Sequence, residues 1–224
     1  MIQLIAFDMD GTLTDSRGII TAYINRTLAH YGRPPLPAGR ILKHVGYGAR
    51  ALLEGVMQEA SLQADPEELF RYYDALYRAD PSYQVEPYPK IPEMLAELGA
   101  RGIRRAVLSN RPHQQTLLIT GAVLNGCLDE VYGQRAGIPM KPDPAGLRLL
   151  LRENGCPVSG CLYVGDMHYD VEAARAAGVR SVGCSWGIGG FSQVESADFV
   201  ISHPLELLDI VDQLNRGRSA LWTL

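Results

Sequence analysis

The amino-acid sequence predicts an α/β fold, a three-layer parallel sheet with helices on both faces, interrupted by an all-helical insertion. Three observations carry this expectation. Short apolar runs end in polar groups at residues 2–8, 105–110 and 161–166. Apolar stripes at helical spacing lie between the later runs. From about residue 16 to residue 87 strand signals fade and helical spacing takes over.

The elements follow in chain order. Residues 2–7 form a short buried strand that ends at Asp8-Met9-Asp10-Gly11. Ile20, Tyr23, Ile24, Thr27, Leu28 and Tyr31 recur at helical spacing and stop at Gly32 and Pro34-Pro35. Residues 51–60 read as a second helix. Asp65-Pro66-Glu67-Glu68 opens a third, with an N-cap, a first-turn proline and acids near the positive end of the dipole. Leu69, Tyr72, Tyr73, Leu76 and Tyr77 continue it. The proline-rich stretch 87–92 is the return hinge. Met94, Leu95 and Leu98 then form a stripe before Gly102. Residues 105–109 form the next strand. Leu147, Leu150 and Leu151 lie on a helix opened by Pro144 and closed by Gly155. Residues 161–164 form a strand, and the alanine-rich stretch 171–177 a helix stopped by Gly178. Two short strands at 180–184 and 198–201 precede a last stripe of Leu205, Leu208, Val211 and Leu214. Alternating strands and helices imply a parallel, Rossmann-like sheet. The core therefore comprises residues 1–15 and 88–224, and the helical insertion residues 16–87.

Composition narrows the function classes. The 224 residues are 46% hydrophobic and 21% charged, ordinary for a globular protein, with formal net charge -4. An acidic balance argues against a nucleic-acid partner, yet a local positive patch suffices for a small anion. No apolar run approaches the length of about 18 residues that suggests a membrane span, and residues 2–7 lack the basic leader of a secretory signal. Cys127, Cys156, Cys161 and Cys184 form no C-x-x-C pair, as expected of reduced thiols in a cytoplasmic protein.

Four pieces carry chemistry. In DMDGTLTDS, Asp8 and Asp10 lie two apart at a strand end, on the same side of an ideal strand, and Gly11 permits a turn. Ser109 and Asn110 sit at another strand end, before a helix opened by Pro112, which suits a phosphate. Lys141, in MKPDP, supplies a charge held between turns. Asp166 and Asp170 bracket the loop from a strand to the alanine-rich helix. Parallel sheets bind ligands at the carboxyl ends of their strands, where all four pieces fall.

In this order, DMDGTLTDS, LSNRP, KPDP and GDMHYD resemble the signature motifs of the haloacid dehalogenase superfamily, in its phosphatase branch. The insertion is similar to that family's C1 cap, and DGTLTDS, VGYGA, LSNRP, KPDP and SWGIGG resemble its phosphoglycolate phosphatase group. Met167 departs from the serine or threonine often found there. The resemblance implies a phosphoric monoester hydrolase acting through an aspartyl-phosphate on a small phosphorylated metabolite, 2-phosphoglycolate first. It implies Asp8 as nucleophile and Asp10 as general acid and base. It implies Mg²⁺ held by Asp8, Asp166 and the Asp10 carbonyl, with Asp170 as an outer ligand. Ser109, Asn110 and Lys141, with the backbone around Gly11 and Thr12, are expected to hold the phosphoryl oxygens. Lys43 and Arg50, flanking Gly46-Tyr47-Gly48, are the candidate specificity residues of the cap. A phosphosugar mutase of the same family and a non-catalytic phosphoacceptor module are the competing readings. The expected assembly is a monomer or homodimer.

Overall fold

The computed structural model describes residues 1–219. Strand β1 (Leu4–Phe7) is followed by a two-residue strand β2 (Thr14–Asp15). Helices α1 (Arg17–His30), α2 (Ala38–Leu42), α3 (Gly48–Glu59) and α4 (Pro66–Ala79) form the insertion, and β3 (Glu86–Pro87) returns the chain. Then come α5 (Ile91–Ala100), β4 (Arg104–Pro112), α6 (His113–Val123), β5 (Glu130–Gln134) and α7 (Ala145–Glu153). The chain continues with β6 (Cys161–Gly165), α8 (His168–Ala177), β7 (Arg180–Cys184), α9 (Phe191–Val194), β8 (Phe199–Ile201) and α10 (Glu206–Ser219).

Six strands make one parallel sheet in the order β5-β4-β1-β6-β7-β8. β1 is central, and all four of its residues are buried, which is why LIAF is apolar without alternation. Its register aligns Phe7 with Val107 of β4 and with Val164 of β6. The residues just past these partners, Asp8, Leu108-Ser109 and Gly165-Asp166, therefore emerge side by side at one edge. The connection order reverses across β1, and a crevice opens there.

Side-chain alternation divides the core. Leu4 and Ala6 pack with Leu147, Leu150 and Ala174 on one face. Ile5 and Phe7 join Met94, Leu95 and Leu98 on the other, in a cluster that runs unbroken into the insertion through Tyr23, Ile24, Tyr73 and Tyr77. The tyrosines meet edge to face, with centroids 4.9 Å apart for Tyr23–Tyr77 and 5.1 Å for Tyr73–Tyr77. Such pairs contribute about 0.5–1.5 kcal/mol each beyond their buried area. At α4, Asp65 accepts from the N–H groups of Glu67 and Glu68 at 2.8 and 3.0 Å, the N-cap read from the sequence.

Four features were not anticipated. β5 is a half-buried edge strand whose EVYGQ text carries little apolar signal. α2 spans five residues, too short for periodicity to register. α9 spans four and shares that limit. β2 and β3 pair antiparallel, Thr14 with Pro87 and Asp15 with Glu86, where the chain leaves the core and returns.

Candidate active site

The carboxylate of Asp8 lies buried at the end of β1. Lys141 Nζ stands 2.8 Å from Asp8 Oδ1 and 2.7 Å from Asp170 Oδ1, also buried. The contact to Asp8 is an ion pair without good hydrogen-bond direction, so Asp8 Oδ1 has no hydrogen-bond partner. The Tyr163 hydroxyl hydrogen is shared between Leu108 O at 2.9 Å and Asp170 Oδ1 at 3.3 Å, and the Met167 N–H donates to Asp170 Oδ2 at 3.1 Å. Asp166 accepts from Thr12 Oγ1 at 3.2 Å and from the N–H groups of Ile188 and Gly189 at 2.8 and 3.2 Å.

Asp8, Asp166 and Asp170 each offer a carboxylate oxygen within 4.8 Å of the others, and all three are buried. Burial pushes the Asp8 carboxyl up to about 7; Lys141 pulls the other way, and Asp170 and Asp10 add to the rise. Asp166 rises well above the carboxylate range, chiefly by burial and then through Asp170 and Asp8. Burial works to lower the Lys141 ammonium, but Asp170 and Asp8 outweigh it and raise it. Three clustered, buried acids thus share one buried ammonium, which contacts Asp8 and Asp170, a balance that favours a further cation.

Asp10 lines the same cavity as Asp8, but its carboxylate points to a different partner. Arg111 Nε and Nη2 donate to Asp10 Oδ2 and Oδ1, both at 2.9 Å, in a bidentate fork. The cavity encloses about 430 Å³ of empty space, open mouth included, and is also lined by Ser109, Gly46, Gly48 and Tyr73. Gly11 adopts φ +85°, and a Cβ there would fall 2.3 Å from Asp166 Oδ2. The turn after β1 therefore needs glycine twice over, for its backbone and for the approach of Asp166.

Three expectations need correction. The Gly11 N–H donates to Thr14 O at 2.9 Å and the Thr12 N–H to Met9 O at 3.3 Å, so both close their own turn instead of cradling an anion. The Asn110 side chain is also fully engaged. Its Nδ2 donates to Gly46 O at 2.9 Å and Lys141 O at 3.0 Å, and its Oδ1 accepts from the Lys141 N–H at 2.8 Å. This residue ties the insertion and the lysine loop to β4. Lys43 pairs with Glu59, and Arg50 with Glu67, on half-exposed outer surfaces. Neither lines the cavity that holds Asp8; Arg50 borders a neighbouring cleft beside Tyr47 and Met140, which shares Gly48, Ala49, Asn110 and Pro112 with that cavity.

Other tempting residues sit apart from the acids. His168 Nε2 meets Tyr47 Oη at 3.1 Å and its Nδ1 meets Gln193 Oε1 at 2.6 Å, a bridge between the insertion and the core. Trp186 Nε1 donates to Thr12 O at 3.1 Å, which braces the turn after β1. Arg111 is the residue that sequence reasoning passed over. Its signal was a guanidinium directly after the Ser109-Asn110 strand end.

The haloacid dehalogenase-like hydrolase profile matches residues 5–184, which contain every acid of this site. The chain belongs to the haloacid dehalogenase-like hydrolases. Within that family it is similar to the phosphoglycolate phosphatase of Aquifex aeolicus, at 31% identity over 94% of this chain and 97% of the relative. It is also similar to the phosphoglycolate phosphatase of Rhodospirillum rubrum, at 36% identity over 84% and 81% of the two chains. A crystal structure of a predicted phosphoglycolate phosphatase from Haemophilus somnus 129pt superposes with TM-score 0.88 at 27% identity, covering 94% of this chain and 98% of that one. As a haloacid dehalogenase-like hydrolase, the chain is an enzyme with an α/β parallel-sheet core. Among the described residues, no helix is long and apolar enough to cross a membrane.

Proposed function

We propose that this hydrolase is a Mg²⁺-dependent phosphatase of a small phosphorylated acid, with 2-phosphoglycolate the leading substrate. The observation that carries the reading is the buried Asp8 carboxylate, in ion-pair contact with Lys141 and within 4.8 Å of two further buried acids. The relatives named phosphoglycolate phosphatase support the choice of substrate.

Asp8 attacks phosphorus, an Asp8 oxygen–phosphorus bond forms and the ester oxygen departs. Asp10 protonates that oxygen, then takes a proton from the water that cleaves the aspartyl-phosphate. Lys141 and the Ser109 hydroxyl steady the phosphoryl oxygens. The residues fit a hard divalent cation: the donors are all oxygens, and the clustered carboxylates carry surplus negative charge. Asp8 and Asp166 would hold it, with the Asp10 carbonyl, and Asp170 would orient from outside. When bound, Mg²⁺ supplies positive charge beside the phosphoryl group and keeps Asp8 ionised at neutral pH. Residues 16–87 act as the cap, excluding bulk water from the cavity.

A panel of phosphometabolites assayed with Mg²⁺ tests the reading directly. Turnover is expected to be highest with 2-phosphoglycolate, to vanish with EDTA and to return with excess Mg²⁺. EDTA-insensitive turnover removes the metal from the account.

Stability carries an independent signature of the cation. The folded-state pKa of Asp8, about 7 without a cation, lies above its ordinary 3.8. The folded protein then binds the proton more tightly than the unfolded chain, so stability falls as pH rises from about 4 to about 7. The cation needs the deprotonated acids, so its stabilisation grows over the same window. Saturating Mg²⁺ is expected to raise Tm by about 5–10 °C at pH 8 and far less at pH 5. Scanning fluorimetry at both pH values reads this, and equal shifts would contradict it.

A further inference from the structure

We propose that Arg111 recognises the substrate's second anionic group, a carboxylate, and that this group displaces Asp10 from the guanidinium and frees it for proton transfer. The proposal deepens the phosphatase reading and rests on it.

The starting point is a conflict within the site. A general acid must reach the departing ester oxygen, yet both oxygens of the Asp10 carboxylate are taken up in a two-point fork with Arg111. Asp10 can serve only after Arg111 gains another partner. Water is a poor replacement, because Arg111 is 7% exposed. A substrate carboxylate reproduces the planar, two-oxygen geometry that the fork already holds.

The surroundings make Arg111 a prepared receptor. Its Nη1 donates to Gln115 Oε1 at 3.1 Å, and Gln115 Nε2 donates to Asp74 Oδ1 of α4 at 3.0 Å. Its guanidinium carbon lies 4.8 Å from the Tyr77 ring centroid. Gln115 and Tyr77 fix one side, so the Nε–Nη2 edge is what remains for an anion. Among the described residues lining the cavity, Arg111 is the one cation. Ile20, Val45 and Leu52 contribute apolar lining to the same cavity. With the phosphoryl group at Asp8 and Lys141, a second anion in the cavity has Arg111 as its partner.

Reach sets the substrate class. Asp8, Asp10 and Arg111 line one cavity of about 430 Å³, open mouth included. A carboxylate in place of Asp10 on Arg111 therefore shares that cavity with phosphorus held at Asp8. That fits a short phosphorylated hydroxy acid and leaves no such contact for an alkyl phosphate whose alkyl group carries no charge. The exchange makes no covalent bond: one carboxylate replaces another on the same two N–H donors.

Steady-state kinetics with 2-phosphoglycolate and ethyl phosphate test the exchange. The wild-type enzyme is expected to favour 2-phosphoglycolate in kcat/KM by at least about 100-fold, given the strength of bidentate charge-assisted pairing. In Arg111→Gln the ratio is expected to fall below about 10, and Arg111→Lys, which keeps the charge but not the fork, to lie between. A scaffold role alone lowers both substrates together and leaves the ratio in place, which overturns the proposal. A wild-type ratio near one overturns it without any variant. No turnover of either ester by the wild type overturns the phosphatase reading itself.

Discussion

Asp8→Asn is expected to lower kcat for every phosphate ester by at least about four orders of magnitude while leaving the fold intact. The amide matches the carboxylate in shape but cannot form the acyl-phosphate. Its effect on stability separates a chemical role from a structural one. Asp8 is one of three buried acids facing a single ammonium. Removing its charge relieves repulsion with Asp170, and Lys141 keeps its 2.7 Å contact to Asp170 Oδ1. Without Mg²⁺ at pH 8, the Tm of the variant is therefore expected to equal or exceed that of the wild type. Activity assays beside thermal melts read both halves. Retained turnover contradicts the role given to Asp8.

Lys141→Met is expected to damage both activity and stability. The substitution keeps the length of the side chain and the backbone N–H that donates to Asn110 Oδ1. It removes the ammonium that bridges Asp8 and Asp170. Breaking a buried ion pair by deleting one partner costs about 3–5 kcal/mol. The acids can escape part of that cost by taking up protons, so the loss is smaller at pH 5 than at pH 8. Urea denaturation at the two pH values measures this difference. Turnover is expected to fall at least about 1,000-fold, since the charge facing the phosphoryl oxygens is gone. Equal destabilisation at both pH values would mean that the acids are not the reason the lysine is buried.

The sheet was largely legible in the sequence because its central strands are buried on both faces and read as plain apolar runs. The acids were legible because each sits one step past such a run. Asp8 follows Phe7, and Asp166 follows Gly165. The insertion was legible in its long helices and not in its short one, since five residues make little more than one turn. Lys43 and Arg50 show where local reading stops. In α3, Leu52 is buried and Arg50 precedes it by two positions, about 200° around the helix, so Arg50 faces out. Lys43 stands two positions after buried Ile41, and it too reaches outward, to Glu59. The cation of the cavity came instead from β4. Arg111 meets Asp10 across 101 residues, and a pairing at that range is a property of the fold rather than of any motif.

The most direct test of the chemistry is to stall it between its two steps. Asp10→Asn with nitrophenyl phosphate and Mg²⁺ provides the stall, because that leaving group departs without a proton while the water step still needs a base. Acid quenching followed by peptide mass spectrometry is expected to find a phosphoryl adduct on Asp8. An adduct on a different side chain, or continued burst-free turnover with Asp8 unmodified, would contradict the account.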